Sequence, residues 1–404
     1  MLTRGHTFCR RGTATVRCNG GAARGFRSAK ALASAACLGV TAFAEELPRN
    51  LRNLPPCKKG EKRFKLNLER DWPARPGDAS VCLWKDDKYA ACSITIDDNC
   101  AQDHAWWLEK AEKYGFKLTW FVITGNVGKK DTKQTGTWEG FQKLVDAGHA
   151  VESHTTTHNY NGKGRPVITD EELHSMYRDS LAIINEKIKG HRATCIAYPN
   201  GQPHAEIAAQ YAIACRGVQG IINNANDVNY LCTNKGGFWP AYSDVLLTGR
   251  TEVEQNKFLN FKSQGNRRGW ITPLRHQVKE GRTPEQKAAS EKSLATALEQ
   301  LASHKDEIWF GTFPACAKYG QSRDTAELTS KLNGDTIVIT LRDRMDDELF
   351  DEPLTVKVRL PDGWKTVRAK QGKGTVPARL VIHDGAPYAL VDIAPDRGEV
   401  SIER

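Results

Sequence analysis

The sequence from Tyr89 to Phe313 alternates short β-rich runs with longer amphipathic segments. This alternation is typical of βα units, in which parallel strands are connected by helices that cover the sheet. The candidate strands are residues 89–96, 118–123, 149–152, 194–197, 269–273 and 307–313, and the candidate helices are residues 105–114, 139–147, 170–189 and 284–304. Thr169 and Glu172 form a capping-box pattern before the third helix. We therefore predict an α/β fold whose strand ends gather side chains at one rim.

After Thr325 the pattern changes to β-rich runs without obvious helices, which predicts a small antiparallel sandwich. The runs are residues 336–341, 354–360, 378–383 and 389–393, and the turn dipeptides between β-rich runs are Asn333-Gly334, Asp362-Gly363 and Asp384-Gly385. The chain of 404 residues exceeds the usual size of one domain. We expect a removed signal peptide at 1–44, an irregular lead-in at 45–80, a (β/α) domain at 81–323 and an accessory β domain at 324–404.

The first 44 residues hold seven Lys or Arg and no acid, and an apolar stretch from Ala31 ends in Ala42-Phe43-Ala44. This arrangement indicates a secretory signal cleaved after Ala44, so we expect a secreted, periplasmic or cell-surface protein. The alternative is an apolar N-terminal helix that is retained. Without the leader the net charge falls from +10 to +3, and we expect no nucleic-acid partner. No later apolar stretch approaches the ~20 residues of a membrane span.

Eight of the eleven cysteines follow Ala44. An even number in an exported protein permits disulfides, although their connectivity cannot be deduced from the sequence. Cys92 and Cys195 lie in apolar, strand-like runs, where a free buried thiol is an equal alternative. No pair has C-x-x-C spacing, so we expect neither a thiolate zinc site nor a redox motif.

Two short motifs follow neighbouring candidate strands: Asp97-Asp98 after an apolar run, and His154-Thr155-Thr156-Thr157-His158. Two imidazoles and one carboxylate suit a divalent ion such as zinc, and three ligands leave a position for water. The other aspartate is then free to take a proton. Alone, the aspartates are equally typical of an Asx-turn, and the histidines of a solvated pair. Pro199-Asn200-Gly201 and Leu274-Arg275-His276 follow further strands, and the combination favours a catalytic rim.

The same motifs resemble those of the polysaccharide deacetylases of carbohydrate esterase family 4, the NodB-like homology domain. The resemblance covers residues 89–319: Thr95-Ile96-Asp97-Asp98 is similar to a T-F-D-D block, and His154 to His158 is similar to an H-[ST]-x-x-x-H block. It implies a distorted (β/α) barrel of about seven strands. Asp97 would be the general base, and Asp98, His154 and His158 would bind the metal, zinc foremost, with cobalt or nickel as alternatives. Leu274-Arg275-His276 is similar to an L-x-H block, which makes His276 the general acid.

The chain departs from the family pattern at two blocks. Where the family has R-x-P-Y, this sequence has Ala197-Tyr198-Pro199-Asn200-Gly201, so the arginine that pairs with the catalytic aspartate has no counterpart there. The backbone N–H of Asn200 could still donate to an oxyanion. The D-x-x-D-W block has no clean match, and Asp227 and Asp244 are the candidates for the acid that would orient His276.

We expect a secreted, metal-dependent deacetylase that hydrolyses acetyl groups, N-acetyl foremost, from an acetylated polysaccharide or oligosaccharide. The missing arginine and the unmatched D-x-x-D-W block leave one alternative, a catalytically impaired carbohydrate-binding protein on the same scaffold. Another is a metal-independent amidase of related fold that acts on cyclic ureides. The signal sequence and the complete Asp-His-His set make this amidase the less favoured reading.

Overall fold

The computed structural model describes residues 47–56, 70–129, 131–220, 222–237 and 268–404. The expected signal peptide, its cleavage site at Ala44 and the candidate Asp244 lie outside these ranges. None of the described helices is both long and apolar enough to cross a membrane. The seven cysteines within the described ranges are all free thiols, so no disulfide joins any two of them.

The strands, in chain order, are β1 (Ala79–Val81), β2 (Ala90–Cys92), β3 (Ile94–Ile96), β4 (Leu118–Val122), β5 (Ala150–Ser153), β6 (Cys195–Ala197), β7 (Ala214–Arg216), β8 (Gly236–Gly237), β9 (Trp270–Ile271), β10 (Pro273–Arg275), β11 (Ile308–Phe310), β12 (Glu327–Asn333), β13 (Thr336–Arg342), β14 (Leu354–Arg359), β15 (Arg368–Gln371), β16 (Gly374–Val376), β17 (Ala378–His383), β18 (Ala386–Ile393) and β19 (Val400–Glu403). The helices are α1 (His104–Tyr114), α2 (Thr132–Thr135), α3 (Trp138–Asp146), α4 (Asp170–Lys187), α5 (Ala205–Ala208), α6 (Pro284–Ser303) and α7 (Phe313–Asp324).

Seven parallel strands form the main sheet in the order β7-β6-β5-β4-β3-β10-β8, and β11-β2-β9 form a second parallel sheet. The two sheets are continuous in sequence, because single residues, Ser93 and Thr272, separate β2 from β3 and β9 from β10. The Ser93 N–H donates to the Ile271 carbonyl at 2.9 Å, so paired strands bend together. The sheet therefore curls as a distorted (β/α) barrel, which confirms the predicted fold class.

The burial of the central strands explains their sequences. All five residues of β4 are buried, as expected for a parallel strand covered on both faces. Helix α4 begins with the predicted capping box: the Glu172 N–H donates to Thr169 Oγ1 at 3.2 Å, and the Thr169 N–H donates to Glu172 Oε2 at 2.9 Å. The remaining predicted helices begin and end within about two residues of α1, α3 and α6, which is ordinary uncertainty for helix ends.

Helix α7 was not predicted, because its sequence has no apolar stripe. It is nevertheless largely buried, including Gln321, Arg323 and Asp324. Arg323 donates from Nη2 to Asp324 Oδ1 at 2.6 Å and from Nη1 to the Leu83 carbonyl at 2.7 Å. These contacts satisfy polar groups that would otherwise be costly to bury. The sequence prediction took the first residue of this helix as the end of a strand.

The C-terminal region contains two antiparallel sheets, β1-β14-β18-β17 and β12-β13-β19-β15-β16. The four predicted runs correspond to β13, β14, β17 and β18, and β12, β15, β16 and β19 are additional. Strand β1 comes from the expected lead-in and pairs with β14, with Ala79 opposite Val358. The segment before the barrel thus contributes an edge strand to the C-terminal sheets, which the sequence analysis did not predict.

Candidate metal centre

A left-handed turn follows β3 and sets the directions of the paired aspartates. Asp98, Asn99 and Cys100 have φ values of 59°, 65° and 41°, a conformation that Asn and Asp tolerate better than other non-glycine residues. The Asn99 side chain secures the turn, because Oδ1 accepts the Ile123 N–H at 2.9 Å and Nδ2 donates to the Thr135 carbonyl at 2.8 Å. As a result Asp97 is buried, whereas Asp98 is partly exposed at the rim.

The two histidines lie on a tight loop after β5. The backbone N–H of His154 donates to the Val122 carbonyl at 2.8 Å, and its Nδ1 lies 2.9 Å from the Ala197 carbonyl. A carbonyl can only accept, so Nδ1 carries the proton and Nε2 presents a lone pair. His158 has a φ of 57°, and its N–H donates to Thr155 Oγ1 at 3.0 Å. The loop therefore brings the imidazoles of His154 and His158 to the same side of the rim, near Asp98.

Three potential ligand atoms converge at this rim. Asp98 Oδ1 lies 3.6 Å from Nε2 of His154 and 3.7 Å from Nε2 of His158, and the three ligand atoms lie within 4.8 Å of one another. Tetrahedral zinc with bonds of about 2.0–2.2 Å places its ligand atoms roughly 3.3–3.6 Å apart. Asp98 Oδ1 is buried without a hydrogen-bond partner among the described residues. This orphaned oxygen and the free lone pair of His154 fit a divalent cation.

Asp97 forms a buried ion pair beside this group. Its Oδ2 accepts from Nη2 of Arg216 and lies 3.5 Å from Nε2 of His154. Burial alone would raise the pKa of Asp97, but opposing interactions, foremost the charge of the Arg216 guanidinium, outweigh burial and lower the pKa from its usual value. Asp97 Oδ1 has no hydrogen-bond partner among the described residues. The result is an ionised carboxylate with one oxygen available to accept a proton.

Arg216 supplies an arginine partner for Asp97 from a position other than the loop after β6. No arginine stands in the loop after β6, but Arg216 at the end of the neighbouring strand β7 makes the ion pair, and its side chain is fully buried. The Tyr198 N–H donates to the Arg216 carbonyl at 3.0 Å, which places the two strand ends side by side. The available signal was the short apolar run Ala214-Cys215 before Arg216 and Gly217, which the sequence analysis did not recognise as a strand.

His276 follows β10 at the same rim, with a half-exposed side chain, and its Nε2 lies 3.7 Å from Asp98 Oδ2. Asn200 lies in the turn after β6, with a φ of 51°. The turn depends on Gly201, because a Cβ there would lie 2.0 Å from a methyl carbon of Val218.

The two candidates for the acid that orients His276 are Asp227 and Asp244. Asp227 lies in a turn where its N–H donates to the Asn224 carbonyl at 3.1 Å. Within the described part of the chain, no hydrogen bond or ion pair joins Asp227 to His276. Asp244 lies outside the described residues. The acid that contacts His276 here is Asp98.

Comparison with known proteins identifies the domain that carries these residues. Residues 85–215 match the family model described as Polysaccharide deacetylase. A Bacillus sp. protein named gellan lyase is 40% identical over 375 residues, which is 90% of this chain and 15% of that protein. A Bacillus subtilis (strain 168) protein with a provisional polysaccharide deacetylase name, YxkH, is 29% identical over 134 residues, 32% of this chain and 45% of that protein. The chain thus spans less than half the length of either relative.

Among solved structures, Streptococcus pyogenes deacetylase PplD in complex with acetate is 20% identical, with a TM-score of 0.31, over 35% of this chain and 62% of that chain. The family match includes Asp97, Asp98, His154, His158 and the turn at Asn200. It confirms the resemblance inferred from the sequence motifs. Residues 85–215 of this chain thus match the polysaccharide deacetylase family model.

Proposed function

We propose that this protein is a metal-dependent deacetylase that hydrolyses acetyl groups, N-acetyl foremost, from a polysaccharide or oligosaccharide. The observation that carries the proposal is the convergence of Asp98, His154 and His158 beside an ionised, arginine-paired Asp97. A ligand set and a separate base are the two parts that metal-assisted hydrolysis requires. We also propose export as the location, on the basis of the leader-like residues 1–44.

The proposed mechanism assigns one task to each group. Asp98, His154 and His158 hold the ion, zinc foremost, with cobalt and nickel as alternatives. When bound, such an ion lowers the pKa of a coordinated water and polarises an acyl carbonyl. Asp97 Oδ1 accepts the proton of the attacking water, while Arg216 keeps Asp97 ionised and fixes its orientation.

The leaving side of the reaction depends on two further groups. The backbone N–H of Asn200 donates to the oxygen that gains negative charge. His276, which lies near Oδ2 of Asp98, donates a proton to the departing sugar nitrogen or oxygen. His276 is half-exposed, which suits a group that must contact a large substrate.

Two other activities are tested by the same assay. A carbohydrate-binding protein without catalysis was suggested by the missing arginine and by the unmatched D-x-x-D-W block, and Arg216 answers only the first of these two points. The relative named gellan lyase bears a different reaction in its name, and this chain matches only 15% of that protein. Lyase chemistry would leave unsaturated sugar ends and no acetate, whereas the proposed reaction releases acetate and leaves the glycan backbone intact.

The decisive experiment measures acetate release from N-acetylated chito-oligosaccharides, peptidoglycan fragments and acetylated xylan, with Asp97→Asn as the test variant. We expect Asp97→Asn to lose roughly 10²- to 10⁴-fold in kcat, the usual contribution of a positioned base, while its metal content equals that of the wild type. Asp335→Asn, in a hairpin of the C-terminal sheets, is the matched control. Full activity of metal-loaded Asp97→Asn would refute the assignment of the base.

A further inference from the structure

The loop that follows His158 is fixed against the neighbouring rim. Its Asn161 N–H donates to Gln202 Oε1 at 2.9 Å, and Gln202 Nε2 donates to the Asn161 carbonyl at 2.6 Å. Asn161 Oδ1 also accepts the Ile168 N–H at 2.9 Å, which closes the loop on itself. The loop therefore holds its exposed side chains at a defined place beside the metal ligands.

Arg165 on this loop is an exposed cation that is held in position without a carboxylate. Its guanidinium carbon lies 4.0 Å from the centroid of the Tyr160 ring, and that ring lies 6.0 Å from the ring of His158. Within the described ranges, no acidic side chain forms an ion pair with Arg165. By contrast, Arg344 and Arg359 elsewhere on the protein are paired with carboxylates. The ring orients the guanidinium and leaves its N–H donors available.

Further unpaired cations accompany Arg165. Lys163 is exposed on the same loop, Lys129 is exposed on the loop after β4, and Lys133 is exposed on the short helix α2 that follows this loop. The two loops are joined by the Gly125 N–H, which donates to the Thr156 carbonyl at 2.9 Å. None of these lysines forms an ion pair with another described residue.

Acidic residues are scarce on the same two loops. Over the described residues 123–129, 131–137 and 154–168, one acid, Asp131, accompanies the four cations. The acids of the first turn of α4 lie beyond these loops, where negative charge is favourable for the helix itself. A surface with an excess of one sign of charge attracts ligands of the opposite charge.

We infer that Lys129, Lys133, Lys163 and Arg165, here called the cationic rim, bind the carboxylates of an acidic polysaccharide. The substrate class is therefore an acetylated glycan that contains uronic acid units next to the acetylated sugar, which rests on the proposed deacetylase function. Arg165 is the central contact, because a guanidinium binds a carboxylate through two parallel hydrogen bonds. The lysines attract the polysaccharide along the rim, and this attraction weakens as the salt concentration increases.

The inference is tested by calorimetric binding of unacetylated galacturonan oligosaccharides and of neutral xylo-oligosaccharides of equal length to the full, metal-loaded chain. We expect the wild type to prefer the acidic ligand, and Arg165→Gln to lower the ratio of acidic to neutral affinity roughly tenfold. Lys163→Gln lowers the ratio less. Lys331→Gln, an exposed lysine on β12, is the control and keeps the wild-type ratio. Unchanged thermal unfolding of each variant shows that the fold is intact.

Equal affinity of the wild type for both ligands, or the same ratio for Arg165→Gln and Lys331→Gln, would overturn the cationic rim. Acetate release from acetylated homogalacturonan and acetylated xylan then separates the two proposals. Release from neutral substrates without preference for the acidic one keeps the deacetylase and refutes the rim. Selective binding of galacturonan, without acetate release from these two substrates or from N-acetylated chito-oligosaccharides and peptidoglycan fragments, keeps the rim and refutes the deacetylase.

Discussion

Replacement of Arg216 by methionine tests the role of the buried ion pair most directly. The side chains of both Arg216 and Asp97 are almost completely buried. Burial lowers the pKa of the nearby His154 ring, which disfavours a compensating positive charge there. Arg216→Met therefore leaves a buried carboxylate without compensation. Breaking a buried pair in this way costs about 3–5 kcal/mol of unfolding free energy.

The assay is thermal or denaturant unfolding of the chelated protein, carried out as a double-mutant cycle with Asp97→Asn. A loss of 3–5 kcal/mol corresponds to a fall in Tm of roughly 6–20 °C for a domain of this size. We expect the double variant to recover about 1–3 kcal/mol relative to the sum of the single losses, because neither buried charge then remains. Arg216→Lys keeps the charge but not the fork geometry of the guanidinium. Its unfolding free energy should therefore lie between those of the wild type and Arg216→Met.

Activity and metal content distinguish a lost base from a lost metal site. We expect Arg216→Met to lower kcat by about 10²–10⁴-fold, because its base is no longer held ionised and in place. Its zinc content should equal that of the wild type, because Asp98, His154 and His158 are unchanged. If the two single variants destabilise additively, or if Arg216→Met retains full kcat, the reasoning about the ion pair is refuted.

Chelation should abolish acetate release, and zinc, cobalt or nickel should restore it to the wild type but not to His158→Ala, as measured by metal analysis and kcat. Asn99→Gly keeps the left-handed turn but removes the side-chain hydrogen bonds of Asn99 to Ile123 and Thr135. We therefore expect a loss of about 1–3 kcal/mol in unfolding free energy and a lower kcat. An unchanged kcat would contradict a positioning role for Asn99. Burial raises the pKa of Asp343 to about 6, so its favourable contribution is present below pH ~4 and is lost as pH rises through 6. Asp343→Asn should therefore gain up to ~3 kcal/mol at pH 8 and nothing at pH 4, and an equal Tm difference at both values would refute this.

The parts of the site that could be predicted are those encoded by neighbouring residues. Asp97-Asp98 and His154 to His158 are short motifs at the ends of buried strands, and parallel topology brings such ends together. Arg216 could not be found in this way, because its contact with Asp97 joins residues 119 apart through a strand of three residues. The ion pair between Arg216 and Asp97 becomes visible only in the structure, where β7 lies next to β6.

The same distinction explains the fold. Helix α4 carries its own start signal in Thr169 and Glu172 and was predicted accurately. Helix α7 has no local signature of burial, since Gln321 and Arg323 become buried only through partners elsewhere in the chain. The outer strands of the C-terminal sheets, such as β12, alternate between exposed and half-buried residues. They contain too few apolar positions to be distinguished from surface loops.

The origin of Arg216 has a consequence for how proteins with this domain are classified. The positive charge beside Asp97 must lie at one position. A side chain that follows either of the adjacent strands β6 and β7 can reach that position. A search that requires arginine in the loop after β6 would discard this chain as inactive, although the guanidinium is present.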